Sequence, residues 1–200
     1  MQSPPWLPSV VWTDYRVALL VTVICPLILL IWAFVQKAEV IQHLLVIYWR
    51  VASLLVITVY LFIGAQPVGF LSGWLSLVLI PISLWFWIDL NEEISEQPQT
   101  RLKLAFTSWR WSTTVYCILG ALAEIPVLRC AFIQSQQMVE QSFCRIWLEP
   151  PWMFRELFHA GTKPGTLGLI GWIALVIYVL YLSYFVFIRL GKQGRSVTGQ

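Results

Sequence analysis

The chain has 200 residues, of which 58% are hydrophobic and 12% are charged, and its formal net charge is +3. Soluble proteins carry roughly 25% charged residues, and a soluble domain of this length could not bury so much apolar surface. The composition therefore excludes a soluble protein and predicts an integral membrane protein without a separate soluble domain. Basic residues are spread singly along the chain, which argues against a nucleic-acid-binding surface.

Long apolar runs predict an all-α, polytopic membrane helix bundle that forms a single domain over residues 1–200. Helices of about 20 residues are needed to cross the hydrocarbon of a bilayer. The chain offers five such spans, at about 17–35, 44–65, 68–88, 111–128 and 167–188. No basic segment or small-residue cleavage site of a signal peptide precedes the first span, so we expect it to be retained.

Pro26 lies near the middle of the first span. Proline lacks a backbone N–H, so it removes one hydrogen bond from the helix and tends to kink it. Within a membrane the freed carbonyl has no water to bond, and neighbouring helices must supply a donor. We therefore expect a kinked first helix that packs closely against other helices of the bundle.

Two charged residues, Arg50 and Asp89, belong to the second span and to the end of the third. Arg50 lies ~10 Å inside the second span at ~1.5 Å per residue, near enough for its side chain to reach the headgroups. The alternative, a surface segment over 40–50, leaves too short a run for a span. Spans two and three are joined by a tight turn, so Arg50 and Asp89 can pair across this hairpin.

Small residues mark two faces for close helix packing. Gly69 and Gly73 form a GxxxG motif, which Ser76 extends along the third span, and Gly120 lies on a small, polar face of the fourth. Small residues four apart let two helix backbones approach in lipid. The motif serves either contacts within the bundle or contacts with a partner.

The connection over 89–108 is acidic and then basic, which predicts a solvated turn and a surface segment, or a docking site for a cytoplasmic partner.

Glu124 is an acidic residue within the fourth span, about one turn from its end. Carboxylates inside a membrane are costly and are paired or face a cavity. Pairing with Arg129 or Arg16 at the same level is one explanation, and a proton or ligand site is the other.

The distribution of basic residues predicts the orientation. With five spans, five of the thirteen Lys and Arg residues lie on the side of the N-terminus and of the 129–166 loop, and eight lie on the side of the C-terminus. Basic residues stay cytoplasmic, so the C-terminus is predicted inside and the 129–166 loop outside. Disulfides persist outside the cytoplasm, which favours a Cys130–Cys144 disulfide over two unpaired thiols.

The same extracytoplasmic loop contains an apolar stretch that begins after two prolines and ends before Gly161. This pattern predicts a short helix over about 151–160. Its apolar side chains include Trp152, Phe154, Leu157 and Phe158. Such a helix lies in the membrane interface or docks a partner.

Catalytic and cofactor-binding motifs are sparse. His43 and His159 are predicted on opposite membrane faces, so they cannot jointly hold a haem or a metal. We predict a protein that is not an enzyme and has neither a catalytic residue nor a metal site. No cofactor is predicted, although either histidine can ligate a single chlorophyll-type magnesium.

Tyr178, Tyr181 and Phe185 form an aromatic stripe at helical spacing in the fifth span.

Several stretches resemble a family of functionally uncharacterised cyanobacterial membrane proteins of about this length. They are WTDYR (12–16), WRVASLL (49–55), LWFWIDLNEE (84–93), WLEPP (147–151) and RLGKQGR (189–195). None of these strings is a mechanistic motif, so the resemblance assigns no site residue. It implies the thylakoid or plasma membrane of a cyanobacterium.

These observations favour a non-enzymatic accessory subunit or assembly factor of a larger membrane complex, either photosynthetic or respiratory. Its expected partners are the lipid bilayer and other membrane subunits, contacted through helix faces and the 129–166 loop. Two alternatives remain open. The polar face of the fourth span suggests a small transporter or channel, and the aromatic stripe suggests a pigment- or quinone-binding module.

Overall fold

A computed structural model of the protein describes residues 4–190, with side chains described as far as Ile188. These residues form helices and no strand. The helices are α1 Leu7–Val35, α2 Glu39–Ile63, α3 Val68–Trp85, α4 Ile88–Glu96, α5 Arg101–Ala123, α6 Ser135–Glu140, α7 Ser142–Arg145, α8 Glu149–Phe158 and α9 Pro164–Tyr184. Short 3₁₀ segments cover Ile125–Phe132 and Ile146–Leu148, and a π-helical turn, Phe185–Leu190, prolongs α9.

Four of the described helices, α1, α2, α3 and α9, are long and apolar enough to cross a membrane. A fifth crossing is formed if α5 and the following Ile125–Phe132 segment, which meet at 58°, are one broken span. Many of their large apolar side chains are exposed, as lipid-facing side chains are. The predicted fold class is confirmed: the protein is an all-α, integral membrane helix bundle.

The two ends of the bundle differ. At one end, residues 125–158 fold into a compact unit, here called the cap, which packs on the turn between α2 and α3 and on the start of α1. The opposite end holds the largest buried core, where Leu44, Leu45 and Tyr48 of α2 meet Leu84 of α3 and Phe106 of α5. The basic residues Lys192 and Arg195, which contribute to the predicted orientation, lie outside the described residues.

The first two helices begin earlier than the predicted spans. Helix α1 starts at Leu7 rather than near 17, because Leu7 and Val11 pack against Ile146 of the cap instead of lipid. Helix α2 starts at Glu39 rather than near 44 and ends at Ile63. Its first turn supplies Val40 and Ile41 to the buried core, so this turn is helical through packing within the protein.

The third and fourth spans differ more. Helix α3 ends at Trp85 rather than near 88, and the Asn91 side chain of α4 donates to the freed Trp85 carbonyl (3.3 Å). Helix α4 occupies part of the predicted solvated turn, because Leu90 and Ile94 are buried in the core. The predicted surface segment belongs to α5, which runs from Arg101 to Ala123 rather than over 111–128.

A buried lysine explains the early start of α5. The Lys103 ammonium group donates to the backbone carbonyls of Ser95 (2.8 Å) and Gln97 (2.6 Å) at the end of α4. These bonds satisfy carbonyls that the end of a helix leaves free, and they let the cation be buried. The Thr100 hydroxyl accepts from the Lys103 backbone N–H and caps α5.

The last span begins at Pro164 rather than near 167, and helical structure extends from there through Ile188. Proline suits the first turn of a helix because the N–H that it lacks would have no partner there. The start of α9 is thus set by Pro164, and three residues ahead of the apolar run are helical.

Neighbouring helices satisfy the carbonyls that Pro26 leaves free, as predicted. The helix has a π-helical turn at Leu19–Ile24, just before the proline. The carbonyls of Val21 and Thr22, five and four residues before Pro26, are those that its missing N–H would have bonded. The Tyr48 hydroxyl donates to Thr22 (2.6 Å) and the Trp109 indole donates to Val21 (2.8 Å). Helices α2 and α5 are therefore bonded to the backbone of α1.

The closest approach of two helices occurs at Gly64 and Gly168, which join α2 to α9. A Cβ atom added to Gly168 would lie 2.8 Å from the Gly64 Cα, and one added to Gly171 would lie 3.0 Å from the Leu61 backbone nitrogen. The left-handed residue of the α2–α3 turn is Ala65 (φ 49°), not the glycine. Gly64 is therefore required by the contact with α9 rather than by the turn.

The residues predicted for close packing make contacts inside the bundle. A Cβ on Gly73 would meet Thr58 of α2 at 3.3 Å, and a Cβ on Gly69 would meet the Phe62 ring at 2.8 Å. Gly120 of α5 faces Leu77 of α3, and Ser76 is buried. The GxxxG motif thus serves the α2–α3 hairpin.

Replacing Gly168 by alanine is expected to destabilise the protein by ~1–3 kcal/mol, the usual cost of overpacking, because the two backbones must separate. The matched control is Gly165→Ala, since a Cβ at Gly165 meets nothing within 4 Å. Thermal unfolding in detergent measures both variants. Equal melting temperatures for the two would contradict the close α2–α9 contact.

Replacing Tyr48 by phenylalanine is expected to cost ~1–3 kcal/mol, the penalty for a buried carbonyl left without a donor. The ring stays the same size, so its edge-to-face contact with Trp109 (5.0 Å between centroids) is retained. Tyr184→Phe, at an exposed position of α9, is the control. Unfolding in increasing denaturing detergent compares them, and a Tyr48→Phe protein as stable as the control would refute the role of this hydroxyl.

Candidate functional site

The cap is built around a disulfide. Cys130 and Cys144 form the predicted bond, with their Cα atoms 5.9 Å apart. Both are buried in a small core with Met138 and Leu148, which continues into Phe70 of α3. The cysteines at positions 25 and 117 are free. The disulfide therefore closes the chain over the α2–α3 turn and holds the cap as one unit.

The cap is also attached to the start of α1. The Tyr15 hydroxyl donates to the Trp147 carbonyl (3.0 Å), and Leu7 and Val11 form a second core with Ile146. The guanidinium of Arg129 lies 4.1 Å from the centre of the Phe143 ring. These contacts fix the cap to α1 as well as to the α2–α3 hairpin.

Helix α8 presents apolar side chains away from the bundle. It covers Glu149–Phe158, two residues earlier than predicted at its start. Leu157 and Phe158 are 70% and 68% exposed, and the Phe154 and Phe158 rings contact each other at a tilt of 36° with centroids 4.8 Å apart. Trp152, which the sequence places among the apolar side chains of this helix, is partly buried and packs against the core of the cap.

The two histidines occupy opposite ends of α2. His43 is an exposed residue of its first turns. His159 follows α8, and its Nε2 lies 3.4 Å from the hydroxyl of Tyr60 near the other end of α2. Residues 43 and 60 are separated by about 25 Å along the helix. The two imidazoles therefore cannot bind one common group, and the described residues hold no group of three metal-ligating side chains.

An acidic pair lies between α1 and α5 near the cap. Glu124 ends α5 where the chain bends, and it interacts electrostatically with Asp14 of α1. The Asp14 carboxylate accepts a hydrogen bond from the Tyr116 hydroxyl (2.9 Å). The cations predicted to pair with Glu124 are placed otherwise, since Arg129 stacks on a phenyl ring and Arg16 is exposed.

The polar face predicted on the fourth span packs against α3. Thr113 and Cys117 are fully buried, and the indole of Trp74 donates to the Ala121 carbonyl (3.0 Å). Leu77 covers Gly120. The small residues of this face thus make room for α3 side chains.

Arg110 is buried near the opposite end of the bundle. Its guanidinium lies 3.9 Å from the centre of the Trp85 ring and bonds the side-chain oxygen of Asn91. The Trp85 indole in turn donates to the Thr114 hydroxyl (2.9 Å), whose own proton goes to the Arg110 carbonyl. This network joins α3, α4 and α5 and gives partners to a buried cation that lies just before the predicted fourth span.

A pocket of about 180 Å³ opens between α2, α3 and α9, on the same half of the bundle as Arg110. The predicted aromatic stripe of Tyr178, Tyr181 and Phe185 forms one wall. Arg50 lines the pocket, and its Nη1 donates to the Tyr181 hydroxyl at 3.5 Å. The hydrogen bond of Arg50 thus reaches α9. The pairing of Arg50 with Asp89 across the hairpin stays a prediction.

Comparison with known protein families gives one match. The model of a family described as a protein of unknown function, DUF3177, matches residues 8–198. The chain belongs to the DUF3177 family. No curated protein and no solved structure matches it.

Two features of this DUF3177 protein were missed by sequence reasoning. The Gly64–Gly168 contact joins segments 104 positions apart, and neither glycine belongs to a GxxxG motif within its own helix. The sequence indicated one wall of the pocket, because the aromatic stripe of the fifth span is visible as a helical pattern. Arg50 lies on α2 and faces this stripe because α2 packs beside α9, and a local sequence pattern does not indicate that contact.

The Cys130–Cys144 disulfide predicts how many cysteines can be alkylated before and after reduction. Unfolded protein should take up two alkyl groups before reduction, at Cys25 and Cys117, and four after it. Cys144→Ser should lower the stability by ~3 kcal/mol in the chain-entropy model for a loop of this size, whereas Cys25→Ser should leave the bond intact. Mass spectrometry and thermal unfolding are the measurements. Four labels without reductant would show that the bond is not formed.

Proposed function

We propose that the protein is a non-enzymatic accessory subunit or assembly factor of a larger membrane complex, and that the exposed apolar residues of α8 are where it binds a partner subunit. The observation that carries the proposal is the exposure of Leu157 and Phe158 on a helix that belongs to the cap and packs on its core through Trp152. Apolar side chains on a rigid support are typical interface anchors.

The position of these residues supports the proposal. Phe132, at the end of the 3₁₀ segment of the cap, is 83% exposed, so apolar exposure is not limited to α8. The disulfide and the bond from Tyr15 to the cap fix the backbone below these side chains. Binding to a rigid surface avoids much of the entropy cost of ordering an interface.

We place the cap outside the cytoplasm and the C-terminus inside. Eight of the thirteen basic residues belong to the side opposite the cap by sequence, and basic residues stay cytoplasmic. A disulfide is chemically suited to an extracytoplasmic compartment. Resemblance to cyanobacterial membrane proteins favours a thylakoid or plasma membrane, and hence a photosynthetic or respiratory complex as the partner.

The alternatives draw on other features. A small transporter would use the polar face of α5, but that face is occupied by side chains of α3. A pigment- or quinone-binding module would use the pocket beside Tyr178 and Tyr181. The accessory-subunit proposal uses a surface that is already exposed and supported.

Solubilisation in mild detergent, affinity purification and mass spectrometry of the co-purifying proteins test the proposal. The Leu157→Ala/Phe158→Ala variant should recover roughly tenfold less partner or worse, because truncating an interface anchor costs more than ~1 kcal/mol. Both side chains are exposed, so the folded state should remain as stable as the wild type.

The matched control is Leu119→Ala/Leu122→Ala, which truncates two equally exposed apolar residues on α5. This variant should keep its partner. A wild-type protein that purifies alone and colourless, or two double variants that recover partner equally, would overturn the assignment of α8 as the binding surface.

A further inference from the structure

We propose that the pocket between α2, α3 and α9 binds one anionic lipid, with an acyl chain in the pocket and the headgroup at Arg50. This proposal is independent of the accessory-subunit role, since it concerns the half of the bundle away from the cap. It rests on the composition of the walls, the placement of Arg50 and the size of the cavity.

The walls fit a hydrocarbon chain. Apart from Arg50, Ser83, two tyrosine hydroxyls and the indole N–H of Trp87, the lining side chains among the described residues are apolar, and they include Val51, Leu79 and Val186. The Ser83 hydroxyl is already engaged, since it donates to the Ile80 carbonyl (2.8 Å). The pocket therefore offers mainly apolar contact.

The pocket is large enough for an acyl chain but not for a whole lipid. Sites that enclose a drug-sized ligand measure roughly 300–1,000 Å³, whereas this pocket measures about 180 Å³. A chlorin ring is too large for such a space. An acyl chain fits, because the rest of the lipid remains in the bilayer beside the helices.

The position of Arg50 fits a headgroup. It lies fourteen residues from Gly64 along α2, or about 21 Å at ~1.5 Å per residue. Across ~30 Å of hydrocarbon, this leaves roughly 10 Å to the far headgroups. A long arginine side chain directed towards the interface covers much of that distance.

Charge selects an anionic lipid over a neutral one. The Arg50 side chain is exposed, and its hydrogen bond goes to the Tyr181 hydroxyl, a neutral group that does not balance the positive charge. The Arg50 guanidinium and the Tyr181 hydroxyl can both donate hydrogen bonds to a phosphate or sulfonate oxygen. Basic pockets between membrane helices on the cytoplasmic side bind anionic headgroups in this manner. A neutral quinone would use the hydroxyl but not the charge.

The test compares phosphatidylglycerol with phosphatidylcholine. The purified full-length protein is delipidated in detergent, titrated with each lipid, and the bound lipid is counted by native mass spectrometry. Wild-type protein should retain one phosphatidylglycerol in preference to phosphatidylcholine. Arg50→Gln should bind phosphatidylglycerol about fivefold more weakly, the effect of one basic residue at a membrane surface. Arg101→Gln, at an exposed cation at the start of α5, should match the wild type.

A second pair of variants tests the chain-binding part. Val186→Trp should fill the pocket and abolish retention of the lipid, whereas Val179→Trp, at an exposed position of α9 that does not line the pocket, should not. This pair decides the question if Arg50→Gln does not fold. Equal retention of both lipids, unchanged binding by Val186→Trp, or a quinone or pigment bound in place of the lipid would overturn the proposal.

Discussion

The close crossing of α2 and α9 determines much of the rest of the structure. At the cap end the two backbones touch, because Gly64, Gly168 and Gly171 carry no side chains to hold them apart. Towards the opposite end α9 carries Tyr178 and Tyr181 on the side that faces α2, and large rings keep two helices further apart than glycines do. The pocket lies where the rings stand. Residues facing α2 are small near the start of α9 and large further along it. This change in size produces both the tight contact and the pocket.

Backbone hydrogen bonding is a second constraint, because lipid provides no donors for free carbonyls. The chain meets it in the same way at three helix breaks, where a side chain from another helix takes over. Tyr48 and Trp109 donate to the carbonyls freed by Pro26. Asn91 donates to the last carbonyl of α3, and Lys103 donates to two carbonyls at the end of α4. Each substitute donor also joins two helices, so the breaks in the helices fasten the bundle together.

These two constraints explain what the sequence could predict. Apolar runs and the two cysteines of the loop are local patterns, and they indicated the membrane spans and the disulfide. Lys103 was assigned to a surface segment because the 89–108 connection is acidic and then basic, and Arg110 stood just outside the predicted fourth span. Their partners, the Ser95 carbonyl and the Trp85 ring, come from other segments. Similarly, Gly64 looked like a turn residue until its neighbour on α9 was placed beside it. Contacts between distant segments decided every such position.

The two ends of the bundle expose different chemistry. The cap is closed by a covalent bond and bonded to α1, and it carries Leu157 and Phe158 outward. Such a surface suits a protein of complementary shape. At the opposite end, the α2–α3–α9 pocket joins an apolar cavity to a cation at roughly headgroup depth, which suits a lipid. Under the two proposals, the lipid contact at one end would fix the depth and rotation of the protein in the bilayer, and the cap at the other end would bind the partner subunit. Both proposals rest on where the backbone of the cap and the exposed guanidinium of Arg50 are placed.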